Sequence, residues 1–281
     1  MGLPGGGSGR LGRTRLIMEG FRVPTVAELA AAGQVPEVLF WVGCAGSFDD
    51  RAQRITKAIA RILHASGTSF AILGGEESCS GDPARRAGNE FLFQMQAAAN
   101  IAVLNGYGIR KIVTGCPHCF NTLRNEYPEL GGTYEVQHHT QFIRDLIESG
   151  RLRLADGGAF AGRRITFHDP CYLGRGNGEY LAPREAIAAL DAELFEMRRS
   201  KKNGLCCGAG GAQMFKEAEP GTGEINHART ADALETGAET IATGCPFCNT
   251  MLTDGVKQAG READVRVRDV AELVAEAADL L

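Results

Sequence analysis

The most constraining feature of this sequence is a set of cysteines that occurs twice with nearly the same spacing. Two cysteines of the first half recur 127 positions later, and the motif TGCPHC at 114–119 recurs 129 positions later as TGCPFC at 243–248. The first set is Cys44, Cys79, Cys116 and Cys119, and the second set is Cys171, Cys206, Cys207, Cys245 and Cys248. Four matched offsets indicate two copies of one structural unit.

The segments around the cysteines repeat as well. The strand-like runs EVLFWV and RRITFHD precede the first cysteine of each set, RKIV and ETIA precede the two TGCPxC motifs, and helical stretches lie between them. Strands that alternate with helices in this way predict an α/β fold of two tandem units, each with a parallel sheet flanked by helices. We expect the first unit at 36–155 and the second at 160–281, after a flexible glycine-rich N-terminal tail at 1–35.

This topology also predicts where the cysteines meet. In an open parallel sheet, the loops at the carboxyl ends of the strands lie along one edge, where ligands bind. Each cysteine set occupies such strand-to-helix loops, so its members should converge although they lie up to 77 positions apart. Helix N-termini favour thiolates over thiols. We therefore expect a metal site at the carboxyl edge of each sheet.

Composition and charge argue against several other classes of function. The chain has 281 residues, a net charge of -4 and a pI near 5.9, so it lacks the basic surface typical of nucleic-acid-binding proteins. No run approaches 18 consecutive apolar residues. The N-terminal segment lacks the apolar core of a signal peptide, which predicts a cytoplasmic location, with any membrane association arising through partner proteins. An odd count of nine cysteines favours metal binding or redox chemistry over a disulfide framework.

Three kinds of cysteine site fit these motifs unequally. A thiol–disulfide exchange site would use the CPxC pairs, but it leaves the other five cysteines without a role. The four thiols of the first set suit a structural zinc ion, whereas the second set contains a fifth thiol that a closed zinc site does not use. An iron–sulfur cluster accommodates both sets, because it offers several attachment points for thiolates.

The order C…CCG…CPxC, present twice, resembles the cysteine-rich (CCG) domain of the B-type and D-type heterodisulfide reductase proteins and their relatives. Those relatives include the iron–sulfur subunits of glycolate oxidase, lactate-utilisation proteins and anaerobic glycerol-3-phosphate dehydrogenase. The resemblance extends from about Pro36 to the C-terminus, and it is closest in the stretches PEVLFWVGCAGSFD, EESCSGDPARRAGNE, TGCPHCFNTLRNEYPELGG and VQHHTQF.

The resemblance implies a ligand set for each half. All five cysteines of the second set match the family motif, which in heterodisulfide reductase binds a 4Fe-4S cluster of non-cubane type. The first set matches four of the five positions, and Ser80 stands where the second cysteine of CCG would be. Because a serine oxygen is a poor substitute for a thiolate, the first site is expected to hold either a 4Fe-4S cluster or zinc.

The resemblance further implies an iron–sulfur, electron-transferring subunit of an oxidoreductase that needs partner subunits for turnover. The expected partner is a ferredoxin-type iron–sulfur subunit, with a membrane cytochrome or a flavoprotein dehydrogenase as further candidates. Two alternatives remain: a non-catalytic subunit stabilised by zinc or a cluster that anchors a partner, and a thiol–disulfide oxidoreductase that uses the CPxC pairs.

Several residues near the cysteines have simpler interpretations. Trp41 is interpreted as a core residue, and His168 as a structural hydrogen-bonding residue rather than a ligand. At least one of the two histidines at 138–139 is expected to cap or pack a helix. The arginines at 85–86 are expected either to pair with the glutamates at 76–77 or to offset the charge of a bound cluster.

Overall fold

The computed structural model describes residues 17–18, 21–155, 158–217 and 220–281, in which short strands and helices alternate. The strands are β1 (Ile17–Met18), β2 (Phe21–Arg22), β3 (Val38–Trp41), β4 (Phe70–Ala71), β5 (Lys111–Thr114), β6 (Glu135–His138), β7 (Arg164–Phe167), β8 (Glu193–Leu194), β9 (Thr240–Thr243) and β10 (Arg266–Asp269). The helices are α1 (Val26–Ala31), α2 (Gly43–Phe48), α3 (Asp50–Ala65), α4 (Asp82–Arg86), α5 (Glu90–Gly106), α6 (Pro117–Asn121), α7 (His139–Glu148), α8 (Gly174–Asn177), α9 (Ala182–Ala188), α10 (Ile225–Leu234), α11 (Pro246–Gln258) and α12 (Val270–Ala277).

Two four-stranded sheets with the same strand order organise these elements. The first sheet has the order β4-β3-β5-β6 and the second has the order β8-β7-β9-β10. All strand pairs within both sheets are parallel. All four residues of β3 are buried, as is typical of a central parallel strand covered on both faces. The predicted α/β fold with two repeated parallel sheets is confirmed.

Helices from both units form a shared layer between the two sheets. α12 of the second unit packs against α3 of the first, and α7 of the first unit packs against α9 of the second. One apolar core therefore includes Phe40 and Ile59 from the first unit together with Phe167 and Leu273 from the second. The predicted division into units at 36–155 and 160–281 stays a prediction, since this core is continuous across it.

Side-chain caps define where the last helix of each unit begins. His138 is the last residue of the edge strand β6 and caps α7, with Gln141 completing a capping box. Asp269 has the same position in the second unit and forms a capping box with Glu272 at the start of α12. The equivalent caps place both helices in the same way against their sheets.

The N-terminal tail predicted over 1–35 does not extend that far. Residues 1–16 and 19–20 lie outside the described part of the chain, but α1 is a regular helix that begins at a Thr25 capping box. Val26 is buried, and its N–H donates to the carbonyl of Ile72 at 2.9 Å. This segment thus packs beside β4. The prediction of a tail was wrong here because it extended the glycine-rich character of the first residues to a segment that is not glycine-rich.

Candidate metal centres

The structure places both cysteine sets at the carboxyl edges of the two sheets. Strands β3, β4 and β5 lead into the loops of the first set, and strands β7, β8 and β9 lead into those of the second. All nine thiols are free. Four of them are partly exposed (Cys44, Cys79, Cys171 and Cys206) and the other five are buried. The predicted convergence is confirmed, whereas the role of these residues as ligands stays a prediction.

The first set forms a group of four thiols and one hydroxyl, in which Cys116, Cys119 and Ser80 are buried. Hydrogen bonding with Cys79, together with burial, raises the pKa of Cys44 well above its ordinary value, whereas the same hydrogen bond lowers the pKa of Cys79 to about 7. Hydrogen bonding with Cys116, together with burial, raises the pKa of Cys119. The Ser80 hydroxyl donates to Cys119 Sγ at 3.6 Å.

The second set forms a continuous chain of thiol contacts through Cys171, Cys206, Cys207, Cys248 and Cys245. Hydrogen bonds from Cys171 and Cys207 lower the pKa of Cys206 well below its ordinary value. The backbone N–H of Gly208 adds a further donor, 3.3 Å from Cys206 Sγ. Adjacent Cys206 and Cys207 therefore both face the group, which brings five thiols together.

Ser80 occupies the position in the first unit that Cys207 occupies in the second. Cys207 contacts Cys248 of its own set, and Ser80 contacts Cys119, which is the repeat equivalent of Cys248. Both side chains are buried, with 1% of Ser80 and 3% of Cys207 exposed. The difference between the two units is therefore the donor atom and not its placement.

A thiol contact between Cys116 and Cys245 joins the two sets. Burial alone would raise the pKa of Cys245, but hydrogen bonds from Cys116 and Cys248 outweigh it and lower the pKa to about 6. These two cysteines are the equivalent first cysteines of TGCPHC and TGCPFC. The two candidate centres are therefore adjacent, and one cysteine of each set contacts the other set.

The donor set fits a cationic inorganic group. Neighbouring thiols and burial raise the pKa of Cys44, Cys119, Cys171 and Cys248, so these groups become thiolates together only when a cation replaces their protons. The backbone also allows close approach at Gly43, which has a φ of +74° and where a Cβ would lie 3.4 Å from Cys119 Sγ. Five thiols in the second set exceed the four that a tetrahedral zinc ion uses.

A buried histidine and a buried arginine stand behind the second set. A ring nitrogen of His168, Cys207 Sγ and Cys248 Sγ lie within 4.8 Å of one another. The Nε–H of Arg229 donates to His168 Nδ1 at 2.8 Å, and Arg229 Nη1 donates to the carbonyl of Arg199 at 2.6 Å. The interpretation of His168 as a hydrogen-bonding residue is confirmed. Its closeness to two cysteines is a finding of the structure.

Sequence reasoning missed Arg229, although the repeat contained a signal for it. Arg229 lies 129 positions after Asn100, and the two residues occupy equivalent positions on α10 and α5. Asn100 is also a buried polar residue, and its amide donates to the carbonyl of Cys79 at 3.0 Å. The buried face of α5 is otherwise apolar, whereas that of α10 carries further polar residues. A buried polar residue at the same repeat position of both helices indicates a supporting role near each site.

Glu77 binds the backbone of the Cys44 loop, a role that was also not predicted from the sequence. It is buried and accepts hydrogen bonds from the backbone N–H groups of Val42 at 3.1 Å and Gly43 at 2.6 Å, just before Cys44. Burial raises the pKa of Glu77 to about 7, against the effect of these two donors. The carboxylate thereby orders the loop that presents Cys44.

Of the two roles expected for the arginines at 85–86, the pairing with the glutamates at 76–77 is wrong, and the offset of a cluster's charge stays a prediction. Both arginines instead bind Glu126, and Arg85 also contacts Glu90 at 3.2 Å. The helix α4 directs these side chains toward the segment after α6, whereas Glu77 points into the Cys44 loop. Closeness in the sequence therefore predicted the wrong acidic partner for the two arginines.

The two histidines at 138–139 have structural roles. His138 caps α7, and its Nδ1 lies 2.8 Å from the hydroxyl of Thr140. His139 Nε2 lies 2.8 Å from Asp269 Oδ1 of the second unit, and both side chains are fully buried. The expectation that at least one of them caps or packs a helix is confirmed.

An apolar cleft opens beside the first cysteine set, between the two units. It has a volume of about 280 Å³ and is bounded by Cys44, Phe48, Met214, Phe215, Pro246 and Phe247, with four further residues. Phe48 and Phe215 are largely exposed on its two sides. The cleft thus gives an apolar molecule access to the partly exposed thiol of Cys44.

Comparison with known protein families identifies the family to which the chain belongs. The cysteine-rich domain family, CCG, matches residues 38–124 and 165–253, once in each unit and over more than half of the chain. The chain belongs to the CCG cysteine-rich domain family. The resemblance inferred from the repeated motifs is therefore confirmed, and each CCG match begins at or beside a central strand, β3 or β7, and ends after a CPxC motif.

Curated relatives of the chain are iron–sulfur proteins or oxidoreductases by name. The chain is 47% identical to the probable iron–sulfur-binding oxidoreductase FadF of Bacillus subtilis, over 90% of the chain and 36% of that protein. It is 44% identical to the EtfAB:quinone oxidoreductase of Syntrophomonas wolfei, over 86% of the chain and 34% of that protein. It is 35% identical to one subunit of the dihydromethanophenazine:CoB–CoM heterodisulfide reductase of Methanosarcina barkeri, over 87% of the chain and 59% of that protein. The chain thus spans about a third of the length of the first two.

Proposed function

We propose that the chain is the iron–sulfur electron-transfer part of a heterodisulfide reductase-like oxidoreductase complex. In this proposal the five cysteines of the second set hold a 4Fe-4S cluster, and the four of the first set hold a second 4Fe-4S cluster or a zinc ion. A cluster bound there would supply reversible one-electron storage. The membership of the CCG family and the names of the iron–sulfur relatives support the proposal.

The observation that carries the proposal is the convergence of five thiols in the second unit. Cys206 and Cys207 both turn toward the group, and each contacts a different member of the set, Cys171 and Cys248. A structural zinc site needs four ligands and leaves one of these buried thiols without a role. A multi-iron cluster has attachment points for all five.

The protein's own residues exclude water from the second site and hold the two sites close together. Burial of Cys245 and Cys248 keeps water away from the second site, while the contact between Cys116 and Cys245 brings the two sites together. Partly exposed Cys44 lies at the apolar cleft. We propose that an electron donor or acceptor approaches through this cleft.

The burial of the CPxC pairs argues against thiol–disulfide exchange. Only 5% of Cys116 and Cys119, 1% of Cys245 and 3% of Cys248 is exposed. An exchange reaction needs an accessible sulfur that can attack, or be attacked by, a second disulfide. These thiols are placed to bind a group inside the protein.

Partners and location follow as part of the proposal. Because the relatives are much longer than this chain, we propose that ferredoxin-type clusters are supplied by a separate iron–sulfur subunit or domain, with a membrane cytochrome or a flavoprotein dehydrogenase as the next carrier. Among the described residues, no helix is long and apolar enough to cross a membrane. We propose a cytoplasmic location with membrane association through partner subunits.

Metal analysis of the anaerobically purified chain tests the proposed function. We expect about eight iron atoms per chain if both sites hold 4Fe-4S clusters, or about four iron atoms and one zinc ion if the first site holds zinc. Acid-labile sulfide should match the iron, and electron paramagnetic resonance should report at least one centre after reduction. Zinc at both sites with no iron would identify a structural subunit and contradict electron transfer.

The apolar cleft makes a second prediction about the route of electrons. Replacing Phe215 by serine removes an aromatic contact worth about 1.5 kcal/mol, so we expect oxidation of the reduced protein by a short-chain quinone to slow by roughly tenfold. Oxidation by ferricyanide, which needs no apolar cleft, should not change. Leu181→Ser is the matched control, because Leu181 is an equally exposed apolar residue outside the cleft. Equal slowing in both variants would contradict a role for the cleft.

A further inference from the structure

One position of the repeat carries a buried N–H donor without an acceptor in both units, near the cysteine set. These donors are Nε1 of Trp41 and Nε2 of His168, which lack hydrogen-bond partners among the described residues. Neither side chain has any solvent exposure. Trp41 lies three residues before Cys44 and His168 lies three residues before Cys171, so they are equivalent positions of the repeat. A buried donor without an acceptor destabilises a fold, and both units carry such a donor at this position.

The hydrogen bond from Arg229 determines which nitrogen of His168 carries the proton. Arg229 Nε always donates, so His168 Nδ1 must accept. An imidazole whose Nδ1 accepts a hydrogen bond has one proton and is neutral. The single proton therefore resides on Nε2, the nitrogen without a partner. A ring in this tautomer has one N–H to donate and no free lone pair with which to bind a metal. One of its nitrogens lies within 4.8 Å of Cys207 Sγ and Cys248 Sγ.

Trp41 has only one possible role as a polar group, because an indole N–H donates and never accepts. Its Nε1 lies 4.0 Å from the point where a Cβ on Gly43 would sit, and Cys119 Sγ lies 3.4 Å from the same point. Gly43 has no side chain to separate them. The indole N–H of Trp41 and the thiol of Cys119 therefore border the same small space beside the first set.

Sulfur is the acceptor that both donors share. In each unit the strand that precedes the first cysteine ends at, or one residue before, the residue that carries the donor, and that residue lies near the second cysteine of the CPxC pair (Cys119 or Cys248). Hydrogen bonds to the sulfurs of an iron–sulfur cluster stabilise its reduced, more negative state and raise its reduction potential. An inorganic group held by the cysteines would bring sulfur to both donors at once.

The geometry points to Trp41 and His168 as equivalent hydrogen-bond donors to the two centres, one in each unit, that raise the reduction potential of the centre beside them. This inference rests on the proposed function, since it requires a sulfur-containing group at each site. It adds two residues that are not ligands, and it assigns each of them to one centre. It also explains how an indole and an imidazole can occupy the same repeat position.

Redox titration of the anaerobically purified full chain, followed by electron paramagnetic resonance, tests the assignment. We expect His168→Leu to lower the potential of the second centre only, and His168→Gln, which keeps an N–H donor, to restore much of it. Trp41 is the single tryptophan of the chain. Its N–H can therefore be removed by biosynthetic replacement with benzothienylalanine, which should lower the potential of the first centre only.

Phe40→Leu is the control, since Phe40 lies on the same strand as Trp41, is equally buried and has no N–H. Unchanged potentials with full iron content would overturn the inference and leave the proposed function intact. Equal shifts of both centres in each variant would also overturn it, because that result indicates a general loosening of the structure.

If the first site holds zinc, cobalt(II) substitution provides the readout there. An unaltered thiolate-to-cobalt absorption band after indole replacement would then contradict the role of Trp41. A protein without iron at either site would instead refute the proposed function.

Discussion

We expect Cys207→Ser to remove most of the paramagnetic signal of the second centre and to leave the first centre unchanged. Cys207 is buried and contacts both Cys206 and Cys248, so its thiol lies inside the group of five. The first unit already shows the result of such a substitution, because Ser80 occupies the equivalent position, 3.6 Å from Cys119 Sγ. The variant should therefore fold and should retain a four-thiol site. Electron paramagnetic resonance and iron analysis of the reduced protein measure the effect.

The reverse exchange is the matched control. Ser80→Cys places a fifth thiol in the first set, and we expect the first centre to gain the spectral character of the second. Ser80→Ala should leave the second centre as it is, because the Ser80 hydroxyl donates to Cys119 of the first set and the Ser80 carbonyl accepts from the Tyr127 hydroxyl. An unchanged spectrum in Cys207→Ser would show that Cys207 is not a ligand. The five-thiol argument for iron would then fail.

The second large effect is expected at the buried pair between the two units. Asp269→Ala should lower the free energy of unfolding by about 3–5 kcal/mol, because it leaves His139 without its partner and also removes the cap of α12. Asp269→Asn keeps an oxygen at the cap position and should cost less. Denaturant unfolding of the full chain under anaerobic conditions measures both changes.

An exposed pair across the same boundary supplies the comparison. Arg144 and Glu185 lie 3.5 Å apart on α7 and α9, and both are partly exposed. Glu185→Gln should change stability by less than about 1 kcal/mol, since solvent screens an exposed pair. A loss in Asp269→Ala no larger than that in Glu185→Gln would contradict the importance of burial at the boundary between the units.

Much of the fold was predictable because the repeat supplied two independent examples of each element. The order of strands and helices around Cys44 also occurs around Cys171, so the parallel sheets and the convergence of the cysteines follow from a single topological rule. Ser80 was recognised as the point of difference for the same reason. A comparison within one chain substitutes well for a comparison between chains.

Other features depend on contacts that no local pattern contains. An amphipathic helix shows which face is buried but not against which unit, so the packing of α12 on α3 was not predictable. The role of Glu77 depends on two backbone N–H groups some 35 positions earlier, which carry no side-chain signal. Trp41 was correctly interpreted as a core residue. Its indole N–H has no partner among the described residues, which depends on tertiary packing and not on any local pattern.

The shared helical layer has a consequence for how the two units can differ. The contact of α12 with α3 and the contact of α7 with α9 are the same contact with the units exchanged, and Cys116 meets its own equivalent, Cys245. This is an isologous interface, the kind that two identical subunits form around a two-fold axis. A homodimer would be obliged to carry the same residues in both halves. One continuous chain is free of that symmetry, and its two units differ beside the cysteines. Ser80 of the first unit is equivalent to Cys207 of the second, Asn100 to Arg229, and Trp41 to His168.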